Sequence, residues 1–217
     1  MTAASIRRLR KDAQRNRAAL VDAARSAFAQ DGLDAPLEGI ARQAGLAIGT
    51  LYRHFPTRMD LVGAVIADKK RAWIVAAETA VEMEPAWNGL VFFLERVCEL
   101  QAGDRAFNDI ASMRFPHAPR IESTRKRAND LSRRIVERAQ AEGSLRADIT
   151  PEDLAFIVWA HARISEATYA IDPRAWRRFL ALILDGFRAR AAHPLPAPPL
   201  RPRQVLRAQL RLGRRSR

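Results

Sequence analysis

A glycine between two short helical patterns constrains the fold of this 217-residue chain more than any other feature. Residues 37–44 place apolar side chains at helical spacing up to Gly45, and residues 48–55 repeat the pattern up to Pro56. Gly45 can adopt the left-handed backbone conformation that lets the second helix cross the first steeply. Two short helices joined by a glycine-containing turn form a helix-turn-helix, so the sequence predicts that motif here.

The rest of the chain also shows helical periodicity, and no stretch alternates long enough to predict a strand. Helix breakers such as Gly103 and Pro173 separate the helical stretches. We therefore expect an all-α protein, with an N-terminal helix-turn-helix three-helix domain followed by a C-terminal helical ligand-binding and dimerisation domain. The expected segments are a basic N-terminal arm at 1–9, the helix-turn-helix domain at 10–56, the helical regulatory and dimerisation domain at 57–192, and a disordered Pro/Arg-rich tail at 193–217.

The positive charge is concentrated at the two ends of the chain. The formal net charge is +13, yet residues 61–192 carry twenty basic against eighteen acidic side chains. The excess comes from residues 1–60, with ten basic against six acidic side chains, and from residues 193–217, with seven arginines and no acid. Such an asymmetry points to a polyanionic partner, with nucleic acid ahead of a membrane surface. An arginine-rich composition throughout is the alternative, since only four of the 37 basic residues are lysine.

The residues that could carry enzyme or metal chemistry lack the necessary spacing. Cys98 is the only cysteine, which excludes an intrachain disulfide and a zinc site built from several cysteines. The histidines lie apart, without a metal-binding spacing, at His54, His117, His161 and His193. No phosphate-binding glycine loop or nucleophile motif is present, so we expect no enzyme, no catalytic residue, no metal and no cofactor.

The chain also lacks the signals of export and membrane insertion. No apolar segment follows the basic N-terminus, and no apolar run approaches the ~18 residues that a membrane helix needs. We therefore expect a soluble cytoplasmic protein without a membrane partner.

The side chains of residues 47–58 suit a helix that meets DNA. Small residues at its start allow a close approach to base edges, and Thr50 and His54 offer hydrogen-bond donors and acceptors. Tyr52, Arg53 and His54 lie near the end of the helix, where a phosphate backbone would pass. Arg58 falls in the first turn of the next helix, beside amides that favour anions. The expected DNA contacts are Ala47, Gly49, Thr50, Tyr52, Arg53, His54 and Arg58. At this point an ordinary helical hairpin, with Tyr52 and Phe55 in the core, remains the alternative.

The basic arm adds a further expected contact. Its cations precede or open the first helix, at Arg7, Arg8, Arg10, Lys11, Arg15 and Arg17. We expect the early part of the arm to follow the neighbouring minor groove or backbone, as homeodomain arms do, and we include Arg15 in the DNA interface. A solvated run of charges is the alternative.

Residues 37–62, LEGIARQAGLAIGTLYRHFPTRMDLV, resemble the DNA-binding domain of the TetR family of bacterial transcriptional regulators. The family motif has the form I-A-x-x-A-G-x-x-x-G-T-L-Y-x-H-F, followed by a basic residue and a leucine. The matching positions are Ile40, Ala41, Ala44, Gly45, Gly49, Thr50, Leu51, Tyr52, His54, Phe55, Arg58 and Leu61. The resemblance implies a homodimer that places the third helix of each subunit in the major groove of a palindromic double-stranded DNA operator, most often as a repressor.

The resemblance further implies that the last two long helices form a four-helix interface between subunits. Residues 151–170 and 173–190 each carry a wide apolar face that a single subunit would struggle to cover. The expected interface residues are Leu154, Ile157, Val158, His161, Trp176, Phe179, Leu180, Ile183, Leu184 and Phe187. The alternative is that both faces pack inward.

Members of the family usually hold a small inducer in the domain after the fourth helix, and its binding separates the recognition helices. The candidate pocket residues here are large side chains with one cation, at Trp73, Phe92, Phe93, Phe107, Phe115, Phe156, Trp159 and Arg163. Each of them is also compatible with ordinary core packing. Their apolar character favours an apolar or aromatic effector of unknown identity.

Two functions therefore compete. The first is a ligand-responsive, sequence-specific regulator. The second is a helical interaction protein or nonspecific DNA-binding protein that works without an effector. The small residues Ala47, Gly49 and Thr50 favour the first, because a nonspecific binder would carry lysine or arginine there.

Overall fold

The computed structural model describes residues 3–115 and 117–214, and within them the regular structure is helical apart from one isolated bridge between Leu145 and Arg188. The predicted all-α class is thus confirmed. None of the described helices is long and apolar enough to cross a membrane. In chain order the helices are α1 (Ala3–Asp31), α2 (Leu37–Gln43), α3 (Ile48–His54), α4 (Arg58–Val65), α5 (Ala67–Glu82), α6 (Ala86–Gln101), α7 (Arg105–Ser112), α8 (Pro119–Ala141), α9 (Asp153–Thr168), α10 (Ala175–Phe187) and α11 (Pro202–Arg214), with short 3-10 turns at Gly32–Asp34 and Ala189–Ala191.

The chain forms two compact units, of which the first ends at Ala67 and the second begins at Asp68. The sequence placed this boundary between residues 56 and 57. The difference arises because α4 packs against α1 and so belongs to the first unit. The expected arm is also continuous with the first helix, since α1 already begins at Ala3, while residues 1–2 lie outside the described residues.

In the first unit, α1 supplies the surface on which α2, α3 and α4 pack. Leu20, Ala24 and Phe28 recur at helical spacing along α1 and are fully buried. Leu51 of α3 and Phe55 immediately after it are buried as well. These two anchors determine which side of α3 stays accessible.

The turn between α2 and α3 has the predicted geometry. Gly45 has a φ of 69°, a left-handed conformation that favours glycine. Its N–H donates to the carbonyl of Arg42 at 3.0 Å, and the N–H of Leu46 donates to the carbonyl of Ala41 at 2.9 Å. The last carbonyls of α2 are thereby satisfied while the chain reverses into α3.

A capping box fixes the start of α4. The N–H of Asp60 donates to Thr57 Oγ1 at 3.2 Å, and the N–H of Thr57 donates to Asp60 Oδ2 at 3.0 Å. Because these bonds hold the first turn directly after Pro56, Arg58 lies in that turn as expected.

The second unit is organised around α6, which packs against α7, α8, α9 and α10. Helices α5 and α6 approach so closely at Gly89 that a Cβ there would lie 2.2 Å from the carbonyl oxygen of Ala80. The core is formed by large apolar side chains from several helices, among them Trp73, Leu90, Phe93, Leu94, Phe107, Ile135, Leu154 and Trp176.

Cys98 belongs to this core and is only 1% exposed. Burial raises the pKa of its thiol to about 12, and the carboxylates of Glu95 and Glu99 add to that effect. At neutral pH the sulfur is therefore held as an unreactive thiol.

The tail differs from the predicted disordered segment, because residues 202–214 form α11. Val205 and Gln209, one turn apart, are buried, and α11 packs against α7. The side chain of Arg146 holds the connecting chain, since its Nη2 donates to the carbonyl of His193. Apolar contacts between α11 and the rest of the second unit thus stabilise a segment whose composition is typical of disorder. Such long-range contacts cannot be predicted from the local sequence pattern.

Candidate DNA interface and ligand cavity

The accessible side of α3 carries the small residues that the sequence singled out. Ala47, in an extended conformation, is the N-cap of α3, and both it and Gly49 are exposed. Tyr52 is 47% exposed, although it is a large aromatic residue. Since Leu51 and Phe55 point into the core, the alternative of a core Tyr52 does not apply. The exposed side combines a flat, small surface with one projecting aromatic ring.

Polar groups on α3 are already ordered by local contacts. Arg53 Nη2 donates to Thr50 Oγ1 at 2.8 Å, which holds the guanidinium against the helix. The Thr50 hydroxyl retains its own proton for donation. His54 is half-buried beside Phe55, with ring centroids 6.4 Å apart. The structure therefore brings Thr50, Tyr52, Arg53 and His54 together on one short helix.

Arg58, an expected phosphate contact, also makes hydrogen bonds within the first unit. It is half-buried, and its Nη1 donates to the carbonyl of Leu33 at 2.8 Å and to the carbonyl of Ala35 at 2.5 Å. These bonds tie the start of α4 to the segment between α1 and α2. The guanidinium therefore positions the helix-turn-helix, and its contact with DNA stays a prediction.

Two arginines of α1 behave differently from each other. Arg15 projects into solvent, with its side chain 77% exposed, and pairs with Asp12 at 2.9 Å. The guanidinium carbon of Arg17 lies 5.0 Å from the centre of the Phe55 ring, where cation–π attraction operates. Arg17 thus links α1 to the end of α3, a contact that the sequence did not predict because it joins distant segments.

The second unit contains a cavity of about 680 Å³. It is bounded by residues of α5, α6, α7, α8, α9 and α11, and two expected pocket residues, Trp73 and Phe93, line it. Further apolar contributions to the wall come from Leu94, Val97, Leu154, Val158, Val205 and Leu206.

Other expected pocket residues lie elsewhere. Phe107 is fully buried behind Trp73, with ring centroids 6.0 Å apart, and Phe92 packs against the core. Phe156 is 43% exposed and meets Trp159 edge-on. The Arg163 side chain is 80% exposed and pairs with Glu166. Together with Phe115, whose N–H donates to Glu122, these side chains are not part of the wall of this cavity.

The cavity has a buried cation that the sequence analysis missed. Arg125 of α8 is 3% exposed and donates to the carbonyls of Ile110, Ala111 and Met113. Its Nε lies 3.8 Å from Glu122 Oε1, beyond hydrogen-bond distance. Burial lowers the pKa of Arg125 to about 10, and the Glu122 carboxylate opposes that shift. The sequence did carry a signal for this buried cation, since Arg125 occupies a position within the apolar stripe of α8.

The apolar faces of α9 and α10 mostly serve the subunit itself. Several expected interface residues are buried within the single chain, at Leu154, Ile157, His161, Trp176, Leu180 and Leu184. Three others pack partly buried against the same core, at Val158, Ile183 and Phe187, and Phe179 is half-buried. These side chains therefore pack inward within the single chain, and their part in an interface between subunits stays a prediction. The large apolar residues left in solvent on these helices are Phe156 and Leu182, the latter 61% exposed.

Two family models match the chain. The model described as bacterial regulatory proteins of the tetR family matches residues 20–65. The model described as the C-terminal domain of SbtR-like transcriptional regulators matches residues 85–189.

Curated relatives and solved structures agree with these matches. The chain is 30% identical over 86 residues to the HTH-type transcriptional regulator SrpR of Pseudomonas putida, a match that covers 39% of this chain and 40% of that protein. The same identity over 86 residues links it to the HTH-type transcriptional regulator TtgW, also of Pseudomonas putida, over 39% of this chain and 64% of that protein. The chain thus spans less than two thirds of the length of these curated relatives.

Two solved structures match over most of their length. The TetR transcription regulatory protein from Mycobacterium vanbaalenii is 30% identical, with a TM-score of 0.50 over 83% of this chain and 99% of that chain. The regulator SCO0520 from Streptomyces coelicolor is also 30% identical, with a TM-score of 0.51 over 79% of this chain and 98% of that chain.

Proposed function

Because this chain belongs to the TetR family of bacterial transcriptional regulators, we propose that it is a repressor that binds a palindromic operator as a homodimer and leaves it when a small molecule binds. Members of the family are DNA-binding regulators that form dimers and are not enzymes. The repressor role, the operator symmetry and the effector are what the proposal adds.

The observation that carries the proposal is the exposed surface at the start of α3. Ala47 and Gly49 present almost no side chain there, and Thr50 presents a hydroxyl, while Leu51 and Phe55 anchor the opposite side. A surface of this kind can approach base edges in the major groove without steric conflict. A protein that bound DNA by charge alone would gain nothing from small residues at these positions.

The polar residues of α3 divide between bases and phosphates in this proposal. Thr50 and Ala47 contact bases, whereas Tyr52, Arg53 and His54 contact the backbone on either side. Arg15 adds a phosphate contact from α1, where its guanidinium is exposed. Arg58 helps to hold the helix-turn-helix in position through its hydrogen bonds to the carbonyls of Leu33 and Ala35.

Homodimer symmetry sets the form of the operator. One recognition helix per subunit requires two half-sites, separated by about one turn of DNA (~34 Å) or somewhat more. DNase I footprinting with the full chain on the DNA upstream of its own gene tests this arrangement. We expect one protected palindrome, and uniform protection without a preferred site would favour nonspecific binding and sink the proposal.

Thr50→Ala tests the division of roles on α3. Loss of one base contact costs ~1–3 kcal/mol of binding free energy at a single operator position, whereas loss of a phosphate contact through Arg53→Ala weakens all sequences alike and reduces the salt slope by about one. Ser26→Ala, an exposed hydroxyl on α1, is the matched control and should leave binding unchanged. Because the Thr50 hydroxyl also accepts a hydrogen bond from Arg53, Thr50→Ala is compared with Arg53→Ala. Losses no larger than those of Arg53→Ala at every operator position would contradict base contact by Thr50.

The effector part of the proposal rests on the cavity of the second unit. A volume of about 680 Å³ lies in the range of small-molecule sites, ~300–1,000 Å³. A ligand changes operator affinity only through its different affinities for the two states of the protein, and a hundredfold loss needs ~2.7 kcal/mol of coupling. Thermal-shift screening of apolar and aromatic compounds, followed by operator release, is the test. Compounds that stabilise the protein without any release would show that this cavity does not control DNA binding.

A further inference from the structure

Helix α11 lies outside the part of the chain that the family model covers, yet it returns to the cavity of the second unit. The match to the C-terminal family model ends at residue 189, whereas α11 occupies Pro202–Arg214. Val205 and Gln209 are buried there, and Leu206 joins them in lining the cavity. The helix therefore contributes part of the wall.

With α11 in place the cavity still measures about 680 Å³. A helix that filled the ligand space would leave little volume, whereas a helix that covers it leaves room for a small molecule. The remaining volume lies within the usual range of small-molecule sites. Helix α11 therefore covers the cavity without filling it.

Two buried donors on the wall indicate what the space would hold. Trp73 Nε1 and Arg125 Nε have no hydrogen-bond partner among the described residues, and both side chains are more than nine-tenths buried. Buried donors without partners cost free energy, so a small shift of either side chain that brought its N–H to a ligand acceptor would be favourable.

The charges around the cavity favour a negatively charged acceptor. Five cationic side chains line it against three acids, and although Arg114 pairs with Glu122 at 2.7 Å and Arg133 with Glu152 at 3.7 Å, the cations remain in excess. The cations are Arg114, Arg125, Lys126, Arg133 and Arg203, and the acids are Glu122, Asp130 and Glu152. The wall formed by Trp73, Phe93, Leu94 and Leu154 is apolar, which suits an aromatic or aliphatic body.

We propose that α11 is the lid of the effector site, closing over a small molecule that combines an apolar body with one anionic group. The proposal rests on the proposed function in so far as it treats this cavity as the effector site. Entry and release of the ligand then require α11 to move, and its contacts through Val205, Leu206 and Gln209 slow release. Changes in α11 consequently alter ligand affinity without altering the surface of α3.

The test uses 1-anilinonaphthalene-8-sulfonate, an aromatic anion whose fluorescence rises in apolar sites, and the full chain. Wild type is compared with a chain ending at Leu200 and with Val205→Asp, which places a charge in the buried contact. Arg211→Ala, an exposed position on the same helix, is the control. We expect both lid variants to bind the dye at least tenfold more weakly and to release it faster, with the control unchanged. Circular dichroism and cooperative thermal unfolding establish that each variant is folded.

Limited trypsin digestion supplies a measurement that needs no variant. Arg203, Arg207 and Arg211 are exposed on α11, but cleavage requires the helix to unwind from its site. We expect saturating dye to slow cleavage at these arginines severalfold, while cleavage at Arg25 on α1 stays constant.

Each result decides the proposal. Equal affinity in all variants, or cleavage of α11 at the same rate with and without dye, would overturn it. Tighter dye binding by the shortened chain would show that α11 competes with the ligand for the cavity, and would also overturn the proposal. Failure of wild type to bind the dye would overturn it as well. Operator binding is measured separately, so that lid-dependent dye binding without operator release would retain the lid and reject the proposed effector control.

Discussion

Arg58 shows how an arginine beside a DNA-binding helix can serve the protein itself. Its Nη1 donates to the carbonyls of Leu33 and Ala35, and a charged donor makes a stronger hydrogen bond than a neutral one. We expect Arg58→Ala to lower the free energy of unfolding by ~1–3 kcal/mol, since both carbonyls lose this donor. Urea denaturation of the full chain measures this. Arg25→Ala, which breaks an exposed pair with Asp22, should stay within ~0.5 kcal/mol of wild type.

The outcome for Arg58 also separates two roles. If Arg58→Ala kept its stability but reduced the salt slope of operator binding, a phosphate contact would be the correct assignment after all. A loss of stability with an unchanged salt slope supports positioning.

His161 makes the stability of the second unit depend on acid pH. The imidazole is fully buried against Trp176, with ring centroids 5.4 Å apart, and neither nitrogen has a partner among the described residues. Burial lowers its pKa from 6.5 to about 4 in the folded chain. The unfolded chain therefore takes up the proton first, so the contribution of His161 to stability is constant above pH 6.5 and falls as the pH drops from 6.5 towards 4.

We expect this fall to reach up to about 3 kcal/mol and to disappear in His161→Phe, which keeps an aromatic ring without a titrating group. Thermal or urea unfolding at a series of pH values between about 4 and 8 measures it. His117→Gln, at an exposed position, is the control and should follow wild type. An unchanged pH dependence in His161→Phe would mean that other groups cause acid unfolding.

At the scale of elements, the contact between α5 and α6 depends on one missing methyl group. A Cβ at Gly89 would lie 2.2 Å from the carbonyl oxygen of Ala80, so Gly89→Ala forces the two helices apart. We expect a loss of stability of ~1–3 kcal/mol, as in other overpacked cores. Gly63→Ala is the matched control because its Cβ would meet nothing within 4 Å, and helix propensity predicts a gain of ~0.5–1 kcal/mol there. Equal effects of the two substitutions would contradict the close approach.

The sequence predicted the helix-turn-helix well because every local signal there agrees with the tertiary packing. Gly45 supplies the left-handed turn, Thr57 caps α4, and Leu51 falls on the side that α1 covers. Where local signals and tertiary packing agree in this way, the structure of a segment can be predicted from its sequence alone. The expected base and phosphate contacts remain predictions.

The sequence predicted the second unit less well because its outcome depends on distant contacts. The tail has a disordered composition, yet Val205 becomes buried once the rest of the unit provides a surface. The wide apolar face of α10 similarly suggested a partner subunit, whereas Leu180 and Leu184 are needed by the core of the same chain. Arg125 was overlooked because a single cation within a helical stripe resembles a surface residue until its carbonyl partners are known.

At the scale of the whole molecule, homodimerisation should depend on the apolar side chains that one subunit leaves in solvent. Leu182 of α10 is 61% exposed, in contrast to the buried Leu180 and Leu184 on either side. We expect Leu182→Glu to yield monomers at micromolar concentration in sedimentation velocity, and to lower operator affinity at least tenfold because two half-sites are no longer bound together.

Val75→Glu is the control for the dimer prediction, since Val75 is 52% exposed on α5, a different helix. It should remain dimeric and bind the operator like wild type. A dimeric Leu182→Glu protein would show that the subunits meet through another surface.

The buried thiol of Cys98 has a practical consequence for following such changes in solution. Because the chain has no other cysteine and this one is inert at neutral pH, maleimide reagents should leave the native protein unmodified. A cysteine introduced at an exposed position, such as Arg207 on α11, would then be the single site of attachment for a spin label. In a homodimer the labels would come in pairs, and electron spin resonance could read the distance between them as DNA or effector is added.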